Sequence, residues 1–165
     1  MNDKMRYPSA LDPISQLMRE HDKALLELKK LNKAVLALSA DGYSSKHFRQ
    51  IESALRFVEE EVGVHNRREE KALFPILERY VEGPTEIMKK DHRRLRRGFT
   101  RLALAVRRVR KRRDSFTAIR ELQAVARTVV RDFVNHIHRE NYVLFPLVRR
   151  FLTKEALRQV ARRML

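Results

Sequence analysis

Apolar residues recur at steps of three and four along most of the chain, with charged residues between them. Because 3.6 residues make one turn of an α-helix, this spacing predicts long amphipathic helices. The first helix is predicted from about Pro13 to Ala40, ending at Asp41-Gly42, after an irregular leader at residues 1–12. Its buried stripe is predicted to be Ile14, Leu17, Met18, His21, Leu25, Leu28, Leu31, Val35 and Leu38.

A second helix is predicted to begin at Ser44 or Ser45, because a serine hydroxyl can accept a hydrogen bond from a free amide of the first turn. Pro75 is expected to kink or break this helix. Glu82-Gly83-Pro84 marks the boundary with the next one. The stripe of the second helix is predicted to be Ile51, Leu55, Val58, Val62, His65, Glu69, Leu73 and Ile76.

The third helix is predicted from about Thr85 to Arg113, and the fourth begins at Asp114-Ser115. Their stripes are Met88, His92, Leu95, Phe99, Leu102, Val106 and Val109, and then Ile119, Leu122, Ala126, Val129, Phe133, His136, Glu140, Val143 and Leu147. Thr153 is expected to cap a short terminal helix at 154–164. Four long helices with short links predict an all-α, up-down-up-down four-helix bundle over about residues 13–152.

The second half of the chain repeats part of the first at an offset of 71 residues. The pairs at this offset are His21/His92, His65/His136, Glu69/Glu140 and the Leu-Phe-Pro triplets at 73–75 and 144–146. Two similar helix pairs are expected to be related by a pseudo-twofold axis. The triplets are predicted to be packing and kink elements, and residues 1–165 are predicted to form a single domain.

Four histidines and two glutamates fall in stripes where a bundle normally places aliphatic or aromatic residues. A buried carboxylate without a partner is very costly, so these residues need an explanation. The spacing of four places each glutamate on the same helix face as the histidine before it. Imidazole and carboxylate groups suit iron or manganese, and carboxylates can bridge two ions. The candidate metal ligands are His21, His65, Glu69, His92, His136 and Glu140.

Four other polar residues are predicted to lie outside the site. His138 is turned roughly 200° from the nearest candidate ligand, which leaves it at most a supporting or interface group. His47 lies about 27 Å along the helix from the candidate site. Glu70 is turned about 100° from the stripe and is predicted to be a solvated charge. A weaker alternative is that Glu70 and its counterpart Asn141 share a supporting role.

The composition narrows the possible functions. The absence of cysteine excludes disulfides, thiolate zinc sites and cysteine nucleophiles. No apolar run is long enough for a membrane span, and no signal peptide is visible, so the expected location is the cytoplasm. The net charge of +16 raises a polyanion as a possible partner. The candidate contact residues are Arg107, Arg108, Arg110, Lys111, Arg112 and Arg113, which also suit the end of a helix dipole.

The two His-x-x-x-Glu segments, at 65–75 and 136–146, resemble the signature segments of the hemerythrin-like, or HHE cation-binding, superfamily. The segments around His21 and His92 resemble its two lone-histidine segments, so the resemblance covers roughly residues 13–152. It implies a four-helix bundle in which the six candidate ligands hold two non-haem iron ions, with manganese or zinc as alternatives. It also implies reactivity toward dioxygen, nitric oxide or peroxide.

The pattern of ligands distinguishes between variants of that superfamily. Oxygen-carrying hemerythrins have a fifth histidine one turn after the third-helix ligand, where this chain has Arg96. They also use an aspartate five residues after the last histidine, whereas here Glu140 follows His136 by four. The four-His, two-Glu pattern is similar to the di-iron domain of iron–sulfur-cluster repair proteins. The resemblance does not extend to the cysteine-containing domain of those proteins.

From the sequence, three functions remain open. The first is a protein that binds or senses a small oxidant, or handles iron, at a di-iron centre. The second is an enzyme that turns over dioxygen, nitric oxide or peroxide at open iron positions. The third is a polyanion-binding or protein-interaction module in which the metal is structural.

Overall fold

The computed structural model describes residues 12–165, which form five helices joined by short turns. The helices are α1 (Pro13–Asp41), α2 (45–77), α3 (Pro84–Lys111), α4 (116–151) and α5 (Lys154–Met164). No strand occurs in this part of the chain, so the all-α prediction is confirmed. Of the predicted leader, residues 1–11 lie outside the described residues.

Local sequence signals set the ends of the helices. Asp12 caps α1 by accepting a hydrogen bond from a first-turn amide, and Gly42 ends the helix with a φ of +83°, which favours glycine. Ser44 occupies the position before α2, although its hydroxyl makes no capping bond. Ser115 caps α4 through its hydroxyl, and Thr153 caps α5 in the same way, as predicted for Thr153.

The first four helices pack in a closed ring, in which each contacts the next and α4 returns to α1. The terminal helix α5 covers one end by packing against α1 and α2. One apolar cluster, which includes Leu17, Phe74 and Phe145, fills the end near α5. Others, around Leu28 and Leu102, fill the rest of the bundle. The six candidate ligands form a polar layer between these clusters.

Three widened π-helical turns interrupt the α-helices, at Val58–Val62 and Glu69–Leu73 in α2 and at Glu140–Leu144 in α4. Each such turn lengthens the hydrogen-bond step from four residues to five. In α4 the turn shifts the buried stripe, so the predicted seam is wrong after Glu140. Val143 is 49% exposed, and Leu144 is buried in its place.

The two prolines at the 71-residue offset, Pro75 and Pro146, each lie two residues after a widened turn. The amide of Phe74 donates to the carbonyl of Glu69, and the amide of Phe145 donates to that of Glu140. Each proline then stands at the start of a new α-helical segment, where its missing amide is tolerated. Pro75 therefore does not break α2, which continues to residue 77.

The basic segment 107–113 lies at the far end of α3 and in the turn that follows. Within this segment, Arg108 pairs with Glu121 and Arg110 pairs with Glu52. Part of the positive charge of the segment is therefore paired within the protein. Among the described helices, none has the combination of length and apolar character that crossing a membrane requires.

Candidate metal centre

The structure brings all six candidate ligands together in the middle of the bundle, and all six are buried. The helices α1 and α3 each contribute one histidine, while α2 and α4 each contribute a histidine and a glutamate. The ligand atoms form two overlapping groups in which all atoms lie within 4.8 Å of one another. The first group is His21, His65, Glu69 and Glu140, and the second is Glu69, His92, His136 and Glu140.

In the first group, the Nε2 atoms of His21 and His65 lie 3.0 Å apart. Two nitrogen ligands about 2.1 Å from one ion, at a right angle, would have roughly this separation. The Nε2 of His21 is 3.0 Å from Oε2 of Glu140, and the Nε2 of His65 is 3.4 Å from Oε1 of Glu69. The four side chains are thus spaced as ligands of one metal ion would be.

The second group uses the other oxygen of each carboxylate. Oε2 of Glu69 lies 3.3 Å from Nε2 of His92, and Oε1 of Glu140 lies 3.2 Å from Nε2 of His136. Each glutamate therefore presents one oxygen to each group. This is the arrangement that two bridging carboxylates need.

Most polar atoms that face the middle of the centre lack hydrogen-bond partners. Both carboxylate oxygens of Glu69 and of Glu140 are buried without one, as are the Nε2 atoms of His92 and His136. Leaving such groups unpaired in a core is costly, and paired metal ions would satisfy them. With only nitrogen and oxygen donors, the residues fit iron or manganese.

The electrostatics of the centre favour positive charge. Burial alone would lower the pKa of His65, but the carboxylates of Glu69 and Glu20 outweigh burial and raise that pKa to about 10. Glu140 and Glu69 likewise raise the pKa of His92 to about 10 against the effect of burial. Burial acts to raise the pKa of Glu69, yet its histidine neighbours hold it well below its usual range. Protons on two histidines therefore compete with metal ions for this centre.

His21 and His92 are the only ligands on their helices. Each is hydrogen-bonded at Nδ1 by the residue that directly follows a glutamate ligand. Oε1 of Glu70 lies 2.7 Å from Nδ1 of His92, and Oδ1 of Asn141 lies 2.7 Å from Nδ1 of His21. A hydrogen bond at Nδ1 leaves Nε2 free to face the centre. The prediction that Glu70 is a solvated charge is wrong, because a side chain turned away from the stripe still reaches the neighbouring helix. The shared supporting role of Glu70 and Asn141 is confirmed.

A third support, which sequence reasoning missed, holds His65. Oε2 of Glu20 lies 2.8 Å from Nδ1 of His65, while its other oxygen accepts a hydrogen bond from Nη1 of Arg68 at 2.9 Å. Arg68 also donates from Nε to the backbone carbonyl of Met164 in α5. The terminal helix is thereby linked through two side chains to a candidate ligand.

The second half of the chain repeats this support with a shorter acid. Asp91 pairs with Arg139 but lies 3.6 Å from Nδ1 of His136, too far for a good hydrogen bond. The side chain of Asp91 is one methylene shorter than that of Glu20 and does not reach both partners well. The acid directly before each lone histidine, at the same offset of 71 residues, is the sequence signal that could have identified both supports.

The phenylalanines of the two Leu-Phe-Pro triplets pack against the lone histidines. The ring of Phe145 stacks on His21 at a centroid distance of 5.4 Å, and that of Phe74 stacks on His92 at 5.8 Å. Both phenylalanines are almost fully buried. The predicted packing role of the triplets is confirmed, since each one packs a phenylalanine ring against a candidate ligand.

The two remaining histidines are in neither group. His138 is exposed, and its ring contacts that of Tyr142. His47 lies near Gln50 in the first turn of α2. His138 is therefore a suitable control position for substitutions of the ligand histidines.

Replacing Glu70 by alanine should weaken metal binding at the His92–His136 group by about 10- to 100-fold, because His92 loses the partner that orients its ring. Metal titration of the variant against wild type, with the exposed Glu82→Ala as control, measures the effect. Equal affinities in all three proteins would show that Glu70 does not orient a ligand.

The family comparison agrees with this geometry. The family model of the hemerythrin HHE cation-binding domain matches residues 12–148, a segment that contains all six candidate ligands. No significant match was found among curated proteins. Because the matched segment is most of the chain, the protein belongs to the hemerythrin HHE cation-binding domain family.

Proposed function

We propose that the protein holds two non-haem iron ions in this centre and uses them to bind, sense or react with a small oxidant (dioxygen, nitric oxide or peroxide), or to handle iron. One observation carries the proposal. Six buried side chains form two four-residue groups that share both carboxylates, and most of their inward-facing atoms have no other partner.

The number of protein donors favours iron over zinc. Each group offers two imidazoles and two carboxylates, which would fill the four positions that zinc usually takes. Iron and manganese accept further ligands, so four protein donors leave positions open. When bound, iron would supply those open positions and the redox chemistry that reactions with oxygen species need.

The charges and hydrogen bonds of the surrounding side chains favour the binding of such ions. Glu69 and Glu140 provide two negative charges in a core that excludes water. Glu20 and Glu70 accept hydrogen bonds from the Nδ1 atoms of His65 and His92, which directs the Nε2 atoms inward. Preorganised ligands of this kind lower the cost of binding.

Anaerobic loading with ferrous iron tests the proposal. We expect about two irons per chain, and a change in the visible spectrum on adding nitric oxide or air. The exposed-histidine variant His138→Ala should behave as wild type. Wild-type protein that retains no iron, or loaded protein that does not respond to either gas, would overturn the proposal.

Protein loaded with iron in the same way distinguishes a carrier or sensor from an enzyme. Multiple turnovers of an oxidant, abolished by Glu69→Ala, would indicate catalysis, whereas a reaction that stops after one event per centre would indicate binding or sensing. The acidic side chains next to the ligand histidines, Glu20, Glu70 and Asp91, each also pair with an arginine.

The alternative function, a polyanion-binding module with a structural metal, has weaker support. Its candidate residues lie on the basic segment 107–113, about 22 Å or more along α3 from His92, and two of them are engaged in ion pairs. Polyanion binding that falls steeply with salt and survives loss of the metal ligands would favour it.

A further inference from the structure

The positive charge of the protein is concentrated in the second half of the repeat. Residues 84–165 contain 23 lysines and arginines but only seven aspartates and glutamates, whereas residues 12–83 contain 12 and 13. The two halves share the helix pattern and the candidate ligands, so neither the bundle nor the metal centre requires this difference. The excess positive charge on α3, α4 and α5 therefore needs a separate explanation.

A row of exposed cations runs along α3. Lys90, Arg94, Arg97 and Arg101 follow one another at steps of four, three and four residues, which places them on one side of the helix. The row extends about 17 Å along the helix axis, and Arg93 lies at its edge. All five side chains are exposed, and within the described part of the chain none of them forms an ion pair. We call these five residues the α3 cation row.

Other cations of α3 are paired, and their partners show why the row is not. Those on the side next to α2 meet acids in that helix or just after it. The pairs are Lys89 with Glu78, Arg96 with Glu70, and Arg110 with Glu52. On the other neighbour, α4, the only acids in residues 116–139 are Glu121 and Asp132, and both already pair with arginines. The α3 cation row therefore finds no free acid on α4.

The phosphates of double-stranded DNA complement this row. Four of its five members are arginines, whose planar guanidinium groups match the oxygens of a phosphate. B-form DNA presents phosphates on both edges of a major groove about 12 Å wide, which admits the exposed side of a helix. The major groove of double-stranded RNA is narrow and does not admit a helix in this way.

The row lacks the side chains that a membrane or a single strand would need. No aromatic residue of α3 is exposed, and unpaired bases bind mainly by stacking on such residues. The exposed apolar residues of α3, Ile87 and Leu104, are about 26 Å apart along the axis. They do not form the continuous apolar face with which a helix lies on lipid.

We propose that the α3 cation row binds the phosphate backbone of double-stranded DNA without reading its sequence. The contacts are between cations and phosphates, so the affinity depends on salt rather than on base sequence. The row contains no candidate metal ligand, and the proposal does not rest on the proposed function. It concerns different residues from the segment 107–113 and does not require the metal to be structural.

Fluorescence anisotropy of a short labelled DNA duplex, titrated with the full chain at several salt concentrations, tests the proposal. If the five cations neutralise five phosphates, the logarithm of the affinity should fall with the logarithm of salt concentration at a slope of about −4.5. Two duplexes of unrelated sequence should bind within about twofold of each other. Wild type that does not bind at low salt, or that strongly prefers one sequence, would overturn the proposal.

Neutralising the row should weaken this binding. The triple variant Arg94→Gln, Arg97→Gln and Arg101→Gln loses about three phosphate contacts, so its affinity at 0.1 M salt should fall at least tenfold and its slope should be about −1.8. Lysine at the same three positions keeps the charge and should keep the wild-type slope. If the glutamine variant melted early, Arg97→Gln alone, with a slope reduced by about 0.9, would decide.

A matched control makes the same charge change in and just after α2. It combines Arg49→Gln, Arg56→Gln and Arg79→Gln, at three exposed arginines. This control should keep the wild-type slope and affinity within about twofold. Equal losses in the two glutamine variants would show that binding follows net charge alone, which would overturn the assignment to the α3 cation row.

Other polyanions identify the partner. Vesicles with anionic lipid, single-stranded DNA and double-stranded RNA should each bind the protein more weakly than duplex DNA at the same salt concentration. Tighter binding of any of these, lost in the triple glutamine variant of the row, would overturn the choice of duplex DNA.

Discussion

Glu140→Ala should cost the protein both metal ions, whereas His21→Ala should cost it one. Glu140 belongs to both groups of ligand atoms, and His21 belongs to only the first. Removing a shared carboxylate also leaves two bound cations with one bridging charge in a buried site, which is strongly unfavourable. We expect metal content to fall from about two ions per chain to well below one in Glu140→Ala, and to about one in His21→Ala.

Elemental analysis after loading and desalting measures this difference. Glu69→Ala should match Glu140→Ala, because Glu69 is the other shared residue. His92→Ala should match His21→Ala. The exposed Glu59→Ala should retain the full content. Equal losses from the glutamate and histidine variants would contradict two groups that share their carboxylates.

The affinity for a divalent ion should rise about tenfold for each pH unit between pH 6.5 and roughly 8.5. The pKa values of His65 and His92 are raised to about 10, so each keeps a proton throughout this range in the metal-free protein. There is one such histidine in each group, and each ion must therefore displace about one proton. The dependence should level off only as the pH passes about 10.

Calorimetric titration with manganese, in two buffers of different ionisation enthalpy, counts the protons released. Glu20→Gln removes one of the groups that raise the pKa of His65, so it should reduce the proton release at one position. Affinity that does not change with pH, with no proton release, would show that these histidines are already neutral in the folded protein.

The helical bundle was predictable because each buried stripe keeps the 3.6-residue period. Most stripe positions, such as Leu17, Val62 and Leu102, are buried as expected. The error at Val143 arises from the widened turn at Glu140–Leu144. A five-residue step leaves no separate signature in the apolar pattern, and its position becomes visible only through the backbone hydrogen bonds.

The ligands of the centre were predictable because polar residues in apolar stripes stand out against their neighbours. Their supports were only partly predictable: the role of Glu70 with Asn141 was a weaker alternative and that of Glu20 was missed, since Glu20 and Glu70 act across helices on His65 and His92. The neighbouring helix that a side chain reaches depends on the rotation of its own helix and on its rotamer. The spacing of residues within one helix specifies neither of these.

Anomalous X-ray diffraction from crystals loaded with iron or manganese would locate the bound ions. We expect two strong peaks inside the bundle, one within each group of two histidines and two shared glutamates. A loaded crystal with no peak in this layer, or with metal bound only at surface residues, would contradict a two-metal centre that shares its carboxylates.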